Sequence, residues 1–95
     1  MFLVTLTFSD NRAQAAQHMD GHNAWLRQGF DDGVFLLSGS LQPRLGGAIL
    51  AHATTLADLQ ARVAGDPFVA HGVVAAAVAE ITPARADDRL AFLLD

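Results

Sequence analysis

An α+β fold built in the order strand, helix, strand, strand, helix, strand is predicted for this chain. Three observations carry that prediction. Apolar residues alternate with period two near the start, apolar residues recur at three- or four-residue spacing in two longer segments, and Gly, Pro and Asp residues separate the segments.

Phe2, Val4, Leu6 and Phe8 share one face of the first segment, while Leu3, Thr5, Thr7 and Ser9 share the other, the pattern of a half-buried strand. Ser9 and Asp10 can cap the helix that follows, in which Ala15, Met19, His22, Leu26 and Phe30 form an inward stripe ending at Asp31-Asp32-Gly33. Gly21 interrupts that pattern at a helix-propensity cost of about 1 kcal/mol relative to Ala. Because Asp20 before it is a good N-cap, a kink or restart is expected there. Val34–Ser38 reads as a short strand, Gly39–Gly46 as a loop, and Ala48–His52 as the next strand. Thr54 or Thr55 caps a second helix with Leu56, Leu59 and Val63 on one stripe, stopped by Gly65. Asp66-Pro67 restarts one helical turn, with Asp66 at the cap and Pro67 at the favoured first position, and Gly72 closes it. Val73–Thr82 is the last strand, terminated by Pro83.

This order is the ferredoxin-like βαββαβ pattern: one domain over residues 1–95, a four-stranded antiparallel sheet with two helices on one face, and a tail from Ala84. Two helices cover one face only. The other face would leave a large apolar patch in solvent, which a second copy packed sheet to sheet would remove, giving a homodimeric α/β barrel. The tail is weakly amphipathic through Leu90, Phe92, Leu93 and Leu94 and is expected to dock on a neighbouring subunit or on its own body.

Composition narrows the function classes. Hydrophobic residues make up 52% of the 95, a surplus for so small a domain, although 18 of them are Ala. Six Arg and no Lys against ten acidic residues give a net charge of −4 with no basic run, which argues against nucleic acid as a partner. The absence of Cys excludes disulfide scaffolds, thiol catalysis and Cys-ligated zinc. With no membrane span and no basic leader before Met1-Phe2-Leu3-Val4, a cytoplasmic location is the expectation.

Few residues can carry chemistry. His22 occupies the inward stripe of the first helix, where it can be a core histidine bonded to backbone or an acid/base near neutral pH. Asp66 can be simply the N-cap before Pro67. Alternatively it can accept from one nitrogen of His22, fixing the tautomer and raising the basicity of the other. Ser38 stands at a strand end, where it is either structural or a small wall of a pocket. Arg44, in a glycine-bounded loop, is either solvated or a clamp for an anionic group. Trp25, three residues after His22, belongs either to the core or to a pocket wall. His18 and His22 are four apart, but they lack the Glu of a zinc-binding helix, and His18 is expected to face solvent, so no metal site is expected. His52 and His71 have no evident partner, and Gly46-Gly47 precedes a strand and is not a phosphate loop.

These positions together resemble the YCII-related (YciI-like) family of small bacterial proteins. The resemblance runs through His22 with Trp25-Leu26, Gly33–Gly39, Pro43–Ala51 and Asp66-Pro67-Phe68 with Gly72. It implies a ferredoxin-like subunit of a dimeric α/β barrel whose active-site histidine and paired aspartate correspond to His22 and Asp66. It also implies a small residue of the same pocket at Ser38. One branch of the family is similar to a dehydrochlorinase of chlorinated hydroxyquinols, which eliminates by acid/base chemistry without a cofactor. The reading is therefore a small-molecule enzyme using His22 and Asp66 for cofactor-free elimination or isomerisation. Ser38, Arg44 and Trp25 would hold an anionic or phenolic ligand. A non-catalytic ligand-binding barrel and a phosphohistidine carrier are the alternatives. Two departures from the family pattern are Met19-Asp20-Gly21, where many relatives carry an Arg or Pro, and Ala75-Ala76-Ala77, where relatives often carry aromatics.

Overall fold

A computed structural model describes residues 1–94. Strands β1 (Phe2–Phe8), β2 (Phe35–Leu41), β3 (Gly46–Ala51) and β4 (Val74–Glu80) form one sheet in the order β2-β3-β1-β4, every neighbouring pair antiparallel. Helices α1 (Ala15–Asp31) and α2 (Leu56–Ala64) and the single turn α3 (Pro67–Ala70) make the second layer. This is the ferredoxin-like α+β arrangement.

The alternation in β1 decides where the core lies. Phe2, Val4 and Leu6 are buried on the helix side, with Phe35, Ile49 and Ala51 beside them on the sheet and Leu59, Val63 and Phe68 above them from the helices. Thr55 caps α2 by accepting from the Asp58 N–H, and Asp66 caps α3 by accepting from the Phe68 N–H, so both starts lie where the capping residues put them. No helix among the described residues is long and apolar enough to cross a membrane.

Four local expectations are corrected. First, α1 does not kink or restart at Asp20-Gly21 but continues unbroken from Ala15 to Asp31. A Cβ at Gly21 would stand 3.0 Å from Pro67 Cγ, so the glycine serves the close approach of α3 and does not break the helix. Second, Ser9 does not cap α1. Its hydroxyl donates to the Gly72 and Val73 carbonyls and accepts from the Asn11 N–H, and a 3₁₀ turn, Arg12–Gln14, comes before the helix. Third, the expected stripe of α1 is half-buried at Ala15, His22 and Leu26 but more open at two of its positions. Met19 and Phe30 are 42% and 41% exposed, while Gly29 is buried because the Phe35 ring occupies the space its side chain would take. Fourth, most of the expected Gly39–Gly46 loop is strand: Gly39 pairs with Ala48, Ser40 with Gly47 and Leu41 with Gly46, which reduces the connection to Gln42–Leu45.

The tail forms a 3₁₀ segment, Asp88–Leu94, and places Phe92 edge-on to His52 of its own body, ring centroids 5.5 Å apart.

Gly46 is the tightest backbone position of the β2–β3 hairpin. Its φ is +139°, and a Cβ there would lie 1.9 Å from the Leu6 carbonyl oxygen. Gly46→Ala is expected to destabilise the domain by about 3 kcal/mol or more, through backbone strain and displacement of β1. Urea denaturation monitored by circular dichroism measures this, and an unchanged midpoint would contradict it.

Candidate functional site

The close contact of Gly21 with Pro67 has a direct neighbour in sequence on each side. His22 follows Gly21 on α1, Asp66 precedes Pro67 at the cap of α3, and the two side chains meet with Nδ1 2.8 Å from Oδ1. Asp66 is fully buried, whereas the His22 side chain keeps 13% of its surface exposed. Oδ1 also accepts the Phe68 N–H at 3.0 Å, so one carboxylate oxygen both caps α3 and holds the imidazole. The two readings of Asp66, cap and histidine partner, therefore describe one atom. Its second oxygen, Oδ2, is buried without a hydrogen-bond partner among the described residues.

A carboxylate oxygen accepts, so Nδ1 of His22 donates, and in the neutral ring the lone pair is left on Nε2. Aromatic neighbours set the plane of the ring. Phe68 stacks on it in parallel, with centroids 4.0 Å apart and 3° between planes, and Trp25 lies 5.9 Å away at 26°. Trp25 is itself fixed, because its Nε1 donates to the Arg62 carbonyl at 2.9 Å and its ring meets Phe35 edge-on. Arg62 in turn bonds Asp32 at 2.9 Å and ties the end of α1 to α2. Hydrogen bonds from Gln28 and Arg62 hold the Asp32 carboxyl below the usual carboxylate range.

His22 lines a cavity of about 290 Å³ between α1 and the helix side of the sheet. The polar side chains facing it are His22, Asn23, Ser38 and Ser40, and among its lining residues His22 is the only ionisable one. Leu6, Phe8, Leu26, Ile49 and Phe68 contribute apolar walls, and Gly39, Gly46 and Gly47 leave part of the floor as bare backbone. Asp66 does not line the cavity, so His22 stands between the buried carboxylate and the open space.

Of the residues singled out from the sequence, His22, Asp66 and Ser38 are brought together here. Trp25 supports His22 from outside the cavity lining. Arg44 lies in the exposed β2–β3 turn with φ +54° and is not among the lining residues. Asn23 and Ser40 also line the cavity, and the sequence pattern does not single them out. Ser40 had a signal, since it lies two residues after Ser38 and thus on the same face of a strand, but the strand was expected to stop at Ser38. His18, expected in solvent, is half-buried and stacks on His71 with ring centroids 4.0 Å apart, on the same seam between α1 and α3.

The family model of the YCII-related domain matches residues 1–83. Among solved structures, the fold is similar to the 5-chloro-2-hydroxyhydroquinone dehydrochlorinase of Burkholderia phenoliruptrix in complex with 2,5-dihydroxybenzoquinone. The TM-score is 0.71 at 16% identity, over 84% of this chain and 91% of that one, a likeness of fold. No curated protein matches the chain.

The shared role of Asp66 Oδ1 has a measurable consequence. Nitrogen-15 NMR is expected to find the neutral His22 ring in the Nδ1–H tautomer, the minor form of free histidine. Asp66→Ala should lose that preference together with about 3 kcal/mol of stability, because the cap and a buried partner disappear together. Asp66→Asn, which can keep both contacts, should lose less. An Nε2–H tautomer in the parent protein would contradict the assignment.

Proposed function

The chain belongs to the YCII-related domain family, and from that premise we propose that it is a small-molecule enzyme in which His22 and Asp66 carry out cofactor-free acid/base chemistry, elimination or isomerisation. The observation that carries the reading is the 2.8 Å contact between His22 Nδ1 and Asp66 Oδ1, with the carboxylate fully buried and the imidazole on the cavity wall. Nε2 removes a proton from a hydroxyl or an acidic C–H of the ligand, and Asp66 stabilises the imidazolium that forms. In an elimination, the electron pair released becomes a new π bond as the leaving group departs with its own pair. In an isomerisation, the proton returns to a different atom of the ligand. Ser38, joined by Ser40 and Asn23, orients hydroxyl or carbonyl oxygens. Trp25 acts through His22 by holding its ring in place. Arg44 is a contact for an anionic substituent only if the ligand reaches the β2–β3 turn.

The fold neighbour is a dehydrochlorinase, which makes elimination of HCl from a hydroxylated ring the first reaction to test. Release of chloride from 5-chloro-2-hydroxyhydroquinone is expected with the parent protein and should fall about 10²–10⁴-fold in kcat for His22→Ala. Turnover by His22→Ala at the parent rate would overturn the proposal. The 13% exposure of His22, set in the wall of a cavity, favours this reading over phosphoryl carriage between proteins, which needs a ring accessible to a partner protein.

The same reading includes a homodimer formed through the helix-free face of the sheet. That face carries Leu3, Leu37 and Leu50 together with Ala75, Ala77 and Ala79, and Leu37 is 58% exposed. Leu3→Asp is expected to give monomers or aggregates in sedimentation velocity, and an unchanged soluble dimer would contradict this interface.

A further inference from the structure

Two adjacent glycines open β3, and their reasons for being glycine differ. Gly46 has no choice, because its backbone lies at positive φ and a side chain would overlap the Leu6 carbonyl. Gly47 has neither constraint. No positive φ holds it, and a Cβ built there would meet only the Gly39 carbonyl oxygen, at the ordinary contact distance of 3.4 Å. A glycine inside a strand costs stability relative to Ala, so its presence without a backbone or packing reason needs another one.

The register supplies it. Gly47 lies opposite Leu6 on β1 and Ser40 on β2, and both of those side chains face the cavity. A side chain at 47 would therefore project from the floor of the cavity toward α1, where His22 and Asn23 form the other wall. Strand stability is given up where the floor stays open, a trade that marks functional sites.

We propose that Gly47 is a specificity-determining residue: its bare backbone is the platform on which a single flat hydroxylated ring, without a fixed charge, lies beneath His22. This inference rests on the small-molecule reading above and goes further by naming what sets the shape and charge of the ligand. Size agrees with it, since roughly 150 Å³ suffices for benzene and about 290 Å³ therefore takes one substituted ring. Charge agrees too. Asn23, Ser38 and Ser40 are neutral donors and acceptors, the lining has no Arg, and His22 must be neutral to accept a proton from the ligand, so a carboxylate or phosphate would lose its hydration without a fixed cationic partner.

The test is calorimetric titration under anaerobic conditions with hydroxyhydroquinone as the neutral ring and gentisate as its carboxylated counterpart. The parent protein is expected to bind hydroxyhydroquinone at least about tenfold more tightly than gentisate. Gly47→Ala should weaken binding about tenfold and Gly47→Val should abolish it, because each added methyl overfills the platform. The melting temperature of Gly47→Ala should equal or exceed that of the parent. Parent protein that binds neither ring, gentisate bound as tightly as hydroxyhydroquinone, Gly47→Val that binds the ring unchanged, or Gly47→Ala that melts well below the parent would each overturn the inference. The two readings also fail separately. Ring binding lost at Gly47→Val while the parent protein transfers no proton would leave this inference standing and remove the catalytic one. Unchanged binding at Gly47→Val beside His22-dependent turnover would do the reverse.

Discussion

The hydrogen bond between His22 and Asp66 is the interaction on which the rest of the site depends, because a single buried oxygen serves two purposes. Oδ1 of Asp66 begins α3 by accepting the Phe68 N–H and fixes the imidazole by accepting from Nδ1. Burying a carboxylate is unfavourable unless hydrogen bonds compensate it, so neither partner can be removed without cost to the other. The stacked Phe68 ring, the anchored Trp25 and the glycine contact at Pro67 all hold α1 and α3 at the distance this bond requires. Local structure and chemistry are thus coupled: what caps a one-turn helix also leaves a basic nitrogen on a residue that lines an apolar cavity.

Much of this was legible in the sequence because the signals were periodic or chemically explicit. Alternation in Phe2–Phe8 placed β1 and its buried face, and Asp66-Pro67 announced a capped helical turn. His22 stood out as an imidazole on an apolar stripe, and the resemblance to the YCII-related family paired it with Asp66. What was misread traces largely to glycine. Gly21 looked like a break, but its missing side chain admits Pro67. Gly29 hid a core position because Phe35 fills its space from another element, while Met19 and Phe30 on the expected stripe stay 42% and 41% exposed. Gly39 and Gly46 bounded an expected loop, yet their backbones pair as strand, and Ser40 was missed with them. Composition cannot distinguish a glycine needed for conformation from one needed for space. That difference depends on residues distant in sequence.

The cavity extends this argument to recognition. Its polar groups are few, His22 is the one ionisable residue among those lining it, and three glycines, Gly39, Gly46 and Gly47, leave part of its floor as bare backbone. Such a surface reads shape and hydrogen-bonding pattern more than charge. It agrees with the chain's lack of any basic cluster and with the placement of Arg44 outside the cavity lining. A site of this kind suits proton transfer to and from a hydroxylated ring, whose acidity changes as its tautomers interconvert.

Proton transfer between His22 and a bound ring can be examined without a leaving group. Hydroxyhydroquinone in deuterated buffer exchanges its ring hydrogens through keto tautomers, and proton NMR follows the loss of each signal under anaerobic conditions. If His22 moves these protons, exchange is accelerated by the parent protein and falls to the protein-free rate with His22→Asn. Equal acceleration by the two proteins would contradict it.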